Sequence, residues 1–332
     1  MKPRVFVSRH FPGEGIALLK KSCDVRIGVM KGTCPRKKLL QGAKWADAIV
    51  TLLTDKVDAE VYDQNPRLKI VANYAVGFDN IDLAEATKRG VLVTNTPGAQ
   101  TESVAEHAIG LMMVLGKRIR EADAFMRAGK YKGWDPDLLL GTEFDGKVCG
   151  VIGVGRIGSI FVKFAKALGM SIIYNDVVRS PDIEQKYDAK PVDINTLLKQ
   201  CDVISIHVPL MPSTRHLINA GHLKLMKKTA FLINTSRGPV IDETALVSAL
   251  KRRQIGGAGL DVYEFEPKLV PGLAKLDNVV LTPHIASATW EARDSMSRIA
   301  AQCVLAAFKG EVPEALVNKD VLQKNPWIKT GA

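Results

Sequence analysis

Cysteine is scarce and unpaired in this chain of 332 residues: Cys23, Cys34, Cys149, Cys201 and Cys303 are odd in number and show no C-x-x-C spacing. That excludes a disulfide framework and a paired-cysteine zinc site, and it points to a reducing compartment. No H-E-x-x-H occurs either, so no metal is expected. Aromatic residues make up only 6% of the chain. The basic groups Arg36, Lys37 and Lys38, then Lys117, Arg118 and Arg120, then Lys251, Arg252 and Arg253 therefore lack the interleaved rings of a single-strand nucleic-acid surface. Despite a formal net charge of +11, these groups read as solvated helix faces that attract small anions, and no nucleic-acid partner is expected. No apolar run reaches the ~18 residues of a membrane span. The chain runs from Lys2 and Arg4 into Val5, Phe6 and Val7 with no apolar leader, so the expectation is a cytoplasmic protein with no membrane partner. Fixed-period repeats and low-complexity segments are missing too.

What is present is ordinary globular material, 46% hydrophobic and 24% charged, in a chain longer than one core usually organises. Two domains are expected. Short β-branched runs alternate with longer helical patterns, the sequence form of a parallel sheet covered by helices. The first series predicts strands at 4–8, 48–52, 69–74 and 91–95, and then an apolar helix over 101–115 after the breaker Pro97-Gly98. The second series predicts six strands, at 148–153, 171–176, 203–208, 230–234, 259–263 and 279–282, enough for a complete doubly wound domain. Residues 291–308 read as one amphipathic helix, and 311–332 as an irregular tail.

The run Gly153-Val154-Gly155-Arg156-Ile157-Gly158 follows a predicted strand and opens a helix over 159–168. Glycines there permit a tight turn and let a pyrophosphate approach backbone N–H groups closely. Such a motif is weak alone, but Asp176 ends the next strand about 20 residues on, where a carboxylate can bond the ribose of NAD. A dinucleotide is thus the expected cofactor.

Three further segments end strands with polar residues: Asn234-Thr235-Ser236-Arg237-Gly238, Asp261-Val262-Tyr263-Glu264-Phe265-Glu266-Pro267 and Thr282-Pro283-His284. Hydride transfer to a 2-oxo acid needs a cation for the carboxylate, an acid for the carbonyl oxygen and a group that tunes the acid. Arg237 suits the first need as a bidentate guanidinium. His284 suits the second, and Glu266, as a carboxylate that favours the protonated imidazole, suits the third. His107, His216 and His222 have no partner at ligand spacing, and His207 reads as support for the cofactor cleft.

With these segments, the run Asn73-Tyr74-Ala75-Val76-Gly77-Phe78-Asp79-Asn80, and His207-Val208-Pro209-Leu210, the sequence resembles the D-isomer-specific 2-hydroxyacid dehydrogenases, and within them the glyoxylate and hydroxypyruvate reductases. The resemblance runs over nearly the whole chain. It implies an α/β fold of two doubly wound parallel-sheet domains, with a Rossmann nucleotide domain (99–287) inserted into a flavodoxin-like substrate domain (1–98 and 288–332). It implies that Arg237, Glu266 and His284 are catalytic and that Val76, Gly77, Leu53, Trp134 and Arg237 meet the substrate. It implies a cofactor site of Thr101, Gly153, Gly155, Arg156, Ile157, Gly158, Asp176, His207, Val208, Pro209, Thr214, Thr235, Ser236, Arg237, Asp261 and His284, with Asp261 on the nicotinamide carboxamide. A homodimer through the 101–115 helix region is implied as well, with Trp134 either capping the neighbouring active site or packing in the interface. The expected activity is reduction of glyoxylate or hydroxypyruvate by NADH. The alternatives are a D-lactate-type or other 2-hydroxyacid dehydrogenase and, from another class, an NAD(H)-sensing binding protein like the C-terminal-binding corepressors.

Overall fold

The computed structural model describes residues 2–323, 325 and 328. The chain divides into two compact units, one reaching Gln100 and resuming at Ala288, the other Thr101–Ser287. In the first, β1 (Arg4–Arg9), α1 (Gly15–Ser22), β2 (Asp24–Val29), α2 (Arg36–Trp45), β3 (Ala48–Thr51), α3 (Ala59–Asp63), β4 (Ile70–Asn73), α4 (Leu83–Lys88) and β5 (Leu92–Thr94) form a parallel sheet in the order β2-β1-β3-β4-β5. This is the flavodoxin-like order. Alternate side chains feed two cores, Val5, Val7, Val50 and Ala72 on one face and Phe6, Ile49 and Val71 on the other. Burial on both faces is why these strands read as unbroken apolar runs.

β2 is not among the expected strands because it is an edge strand, paired only with β1 and carrying the solvated residues Asp24 and Arg26. Such a strand shows no apolar run to find.

The second unit opens with α5 (Thr101–Gly116) and α6 (Ile119–Arg127). After them come β6 (Val148–Ile152), α7 (Arg156–Ala167), β7 (Ser171–Asn175), α8 (Pro181–Tyr187), β8 (Lys190–Pro191), α9 (Ile194–Gln200), β9 (Val203–Ile206), α10 (Ala220–Leu225), β10 (Phe231–Asn234), α11 (Glu243–Lys251), β11 (Gly257–Leu260) and β12 (Val279–Leu281). The sheet is seven-stranded and parallel, in the order β12-β11-β10-β9-β6-β7-β8. The six expected strands are joined by β8, a two-residue edge strand that tolerates Pro191 because no further strand needs its N–H. Strand order reverses between β6 and its neighbours β7 and β9, and ligands of open α/β sheets bind outside the carboxyl ends at such a point.

α7 starts three residues before the expected helix, because Gly155 already serves as its N-cap. β11 ends at Leu260, earlier than expected, because the carboxylate of Asp261 is drawn into a hydrogen-bond network with the segment after β12. α12 (Trp290–Lys309) returns to the first unit, capped by the Thr289 hydroxyl on Ala292 N–H and closed by Gly310 at φ 78. Of the expected irregular tail, the described part holds a short 3-10 turn at Lys319–Gln323; residues 324, 326–327 and 329–332 lie outside the described residues. Among the described residues no helix is long and apolar enough to cross a membrane.

Candidate active site

In the second unit the glycine loop leaves β6 at the switch point. Gly153 takes φ +88, and a Cβ there would lie 2.8 Å from Val208 Cγ1. One on Gly158 would fall 2.0 Å from the Gly153 carbonyl oxygen. Both glycines are demanded by the protein's own packing. Gly155 is different: a Cβ there would meet nothing within 4 Å, so the protein itself leaves that space open. Asp176 stands just past β7 and accepts the Val154 N–H at 2.7 Å and the Val178 N–H at 3.2 Å, which aims it at the loop. Arg179 is occupied, with its Nε and Nη2 both 2.8 Å from oxygens of Glu184, which also accepts the Tyr174 hydroxyl at 2.6 Å. Beside the loop, Phe161 packs its ring 5.0 Å from that of His207. Burial pushes the His207 imidazole down to about 3, so it is neutral, and it meets Ser205 Oγ at 2.8 Å.

The candidates after β9, β10, β11 and β12 follow the same sheet edge. Thr214 braces the first of these loops, its hydroxyl donating to Pro209 O at 2.7 Å and accepting from Met211 N–H at 2.8 Å. After β10, Asn234 receives the Ser236 N–H and returns its amide to Arg237 O at 3.0 Å, turning the chain so that Arg237 follows the strand end. The Thr235 hydroxyl is buried with no hydrogen-bond partner among the described residues.

His284 and Glu266 meet directly: Nδ1 lies 3.0 Å from Oε2. The other Glu266 oxygen accepts the Tyr263 N–H at 3.0 Å. Burial acts to raise the Glu266 carboxyl, but the His284 bond and charge, the Tyr263 N–H and the field of Arg237 outweigh it and hold the group below the usual carboxylate range. His284 itself sits at φ 54, a left-handed conformation that costs a side-chain-bearing residue about 1 kcal/mol or more. Its N–H is fastened to Asp261 O at 2.8 Å.

Asp261 is wholly buried, and its carboxylate accepts Thr282 Oγ1 at 2.6 Å and the N–H groups of Ile285 and Ala286 at 2.8 Å each. Burial would raise this group, yet bonds from His107, Thr282, Ile285 and Ala286 lower it below the ordinary carboxylate value. The bonds from Thr282, Ile285 and Ala286 fix the segment around His284. His107, which has no partner at ligand spacing in the sequence, takes part: Nε2 lies 3.0 Å from Thr282 Oγ1 and 3.5 Å from Asp261 Oδ1. No local pattern around His107 signals this, since its partner is 175 residues away. Thr101 begins α5 and is 9% exposed, whereas Trp134 stands 83% exposed in the stretch after α6.

In the first unit, Val76 and Gly77 follow β4. Their carbonyls are turned inward, Val76 O to the Asn95 amide at 2.8 Å and Gly77 O to the Asn73 amide at 2.9 Å. Asn80 ties this loop to the turn holding Leu53, donating to Leu52 O at 3.1 Å and Asp55 O at 2.9 Å. Buried Asp55 completes that turn by accepting Leu52 N–H and the Ser8 hydroxyl. Asn73, Asn80 and Asp55 are not among the expected site residues, because their roles are in holding backbone rather than in chemistry.

The comparisons decide what carries this geometry. The family model described as D-isomer specific 2-hydroxyacid dehydrogenase, NAD binding domain, matches residues 109–286. A glyoxylate reductase of Thermococcus litoralis is 50% identical over 330 residues, 98% of this chain and 100% of that one. This chain belongs to the D-isomer specific 2-hydroxyacid dehydrogenase family. A glyoxylate reductase of Pyrococcus furiosus is 45% identical over 327 residues, 97% of each chain. Among solved structures, an NADPH-dependent glyoxylate/hydroxypyruvate reductase of Sinorhizobium meliloti, in complex with NADP and malonate, superposes with a TM-score of 0.87 at 29% identity and covers 100% of both chains. As a member of this family the chain is an NAD-dependent 2-hydroxyacid dehydrogenase, and the unit Thr101–Ser287 holds the NAD-binding domain.

The residues present fit that cofactor. The open space over Gly155, the start of α7 behind it and the partnerless Thr235 hydroxyl are features a dinucleotide would use, and its pyrophosphate would face the helix N-terminus. Among the described residues no group of three or more His, Cys, Asp and Glu could hold a metal ion.

Proposed function

We propose that the chain reduces small 2-oxo acids, glyoxylate or hydroxypyruvate foremost, to 2-hydroxy acids with NADH. The observation that carries this reading is the His284–Glu266 pair, bonded at 3.0 Å and placed with Arg237 along the strand ends that also bear the glycine loop. The glyoxylate reductases matched over full length supply the substrate class. Bound NADH supplies the hydride. Arg237 would hold the substrate carboxylate with its planar fork, and in the other unit the Val76 and Gly77 N–H groups and Leu53 are the candidates for substrate contact. His284 delivers a proton to the carbonyl oxygen, and Glu266 orients the ring through Nδ1. The loop shaped by Gly153 and Gly158, with Gly155, Arg156 and Ile157 facing the ligand's space, would take the pyrophosphate, Asp176 the ribose, and Val208, Pro209 and Thr214 the adenosine end. Neutral His207 supports that cleft, while Thr101, Thr235, Ser236 and Asp261 serve the nicotinamide end. The unit Thr101–Ser287 is thus the nucleotide domain and the other the substrate domain.

We further infer a homodimer built on α5, α6 and the stretch after them. α6 has no buried residue, and Met126, Tyr131 and Trp134 are 57%, 47% and 83% exposed, an apolar display that a second copy would cover. A cytoplasmic setting accords with five free buried cysteines. No nucleic-acid partner is proposed, since Arg36 is paired with Asp58 and Glu60, Arg118 with Glu121, and Arg253 with Asp277.

The test is NADH oxidation, followed by the absorbance that the reduced nicotinamide alone has, with a panel of glyoxylate, hydroxypyruvate, pyruvate and longer 2-oxo acids. Turnover of glyoxylate or hydroxypyruvate with the best kcat/KM is expected. NADH binding without turnover of any member would reject the reductase and leave a nucleotide-sensing role.

A further inference from the structure

Glu264, two residues before Glu266, has no part in the proposed chemistry, yet its side chain is only 5% exposed. Its Oε1 lies 2.6 Å from His216 Nε2 and 3.4 Å from Arg215 Nη2. Its Oε2 accepts the backbone N–H of Glu243 at 3.2 Å, while its own N–H donates to Glu243 Oε2 at 3.0 Å. Glu243 opens α11, is 3% exposed, and keeps a second oxygen buried without a hydrogen-bond partner among the described residues. Two acidic side chains thus clasp each other's backbone, and a histidine closes the clasp.

Three segments meet there. His216 ends the loop after β9 that contains Pro209 and Thr214. It is held at φ 49, with its N–H on Pro239 O at 2.8 Å. Glu243 follows the segment after β10 that contains Arg237. There Gly238 is pressed so closely on the turn that a Cβ would lie 1.9 Å from the Tyr263 carbonyl carbon. Glu264 belongs to the turn after β11, whose Tyr263 N–H fixes Glu266. Bonds to a buried carboxylate are among the stronger ones a protein makes, and a buried charge left without them is costly.

We propose that Glu264, clasped by His216 and Glu243, is a positioning residue that couples the adenosine-side loop to the turn carrying Glu266. Cofactor seated on the loop thereby steadies the catalytic carboxylate. The proposal rests on the reading of the chain as an NADH-dependent reductase. It requires that cutting the clasp at the loop side be felt at the turn, although His216 touches neither substrate nor cofactor in that reading.

The experiment uses the full chain and three variants: His216→Ala, His216→Gln and Glu264→Gln. For each, kcat at saturating substrates, the Kd of NADH by fluorescence, and hydrogen exchange of a peptide spanning 262–267 with and without NADH are measured. His216→Ala should lower kcat about tenfold and weaken NADH about fivefold, the scale expected when a reacting group is misplaced by a fraction of an ångström. It should also lose the protection that NADH confers on 262–267. Glu264→Gln should do the same, and His216→Gln, whose amide can donate to the same oxygen, should recover most of the loss. Variants that bind and turn over within about twofold of the unaltered chain, or that lose only melting temperature, overturn the proposal. So does unchanged NADH-dependent protection in His216→Ala. An unaltered chain that binds no NADH overturns this proposal and the functional reading together, whereas an active one with indifferent variants overturns this proposal alone.

Discussion

The His284–Glu266 bond fixes the ring by Nδ1 and, with the Tyr263 N–H, keeps the carboxylate ionised. Because the Glu266 pKa is lowered, its charge is in place above the ordinary glutamate range of about 4.3, and is lost only as pH falls through the lowered value. Glu266→Gln should therefore lower kcat by about tenfold or more, because the ring loses the anionic partner that orients it. A kcat equal to that of the unaltered enzyme would remove Glu266 from the mechanism. His284→Ala should cost about 10² to 10⁴ in kcat with NADH affinity nearly intact. Cofactor choice is also decided by single residues. Two unit charges about 5 Å apart at an effective dielectric near 20 repel by about 3 kcal/mol, so Asp176 should disfavour the 2′-phosphate of NADPH by about 10² or more. Arg179, three residues on, could offset this as a cation, but it is forked onto Glu184. Asp176→Ser with Val177→Arg should shift preference toward NADPH, read as the ratio of kcat/KM for the two cofactors. Val177 is 98% exposed, so an arginine fits there without repacking.

Elements show which signals a sequence carries. The β6–loop–α7 element is legible except for the first three residues of the helix, but the structure shows that its glycines have two separate causes, close packing at positions 153 and 158 and open space at 155. That difference predicts opposite outcomes. Gly155→Ala should leave melting temperature near that of the unaltered chain while weakening NADH by about tenfold or more, since the methyl enters only the ligand's space. Gly158→Ala should instead destabilise the fold, because its methyl meets a backbone oxygen at 2.0 Å. Equal loss of stability in both variants would refute the distinction. Arg237, Glu266 and His284 are legible because their chemistry allows few substitutes. The supports are not: Asn80, His107, His216 and Glu264 act through partners up to 175 residues distant, and nothing in a local pattern marks such a pairing. Edge strands β2 and β8 are illegible for another reason, since one is solvated and the other is two residues long.

At the scale of the whole molecule, the uncovered apolar residues of α6 and the stretch after it predict a dimeric mass by light scattering. Replacing Met126 and Trp134 together with Glu should give monomers, and a monomeric unaltered protein would defeat the dimer. The division of the chain carries one more consequence, in time rather than in space. The first unit is discontinuous in sequence, and one face of its sheet, with Val5, Val7, Val50 and Ala72, is covered in part by Met296, Ala300, Val304 and Ala307 of α12. During synthesis that face emerges some two hundred residues before its cover, an interval of about 10 to 40 s at ordinary translation rates. The inserted unit, continuous from Thr101 to Ser287, has all its strands before α12 exists. It should fold first on the ribosome and hold the early sheet in waiting, an aggregation-prone intermediate that a holdase chaperone would recognise.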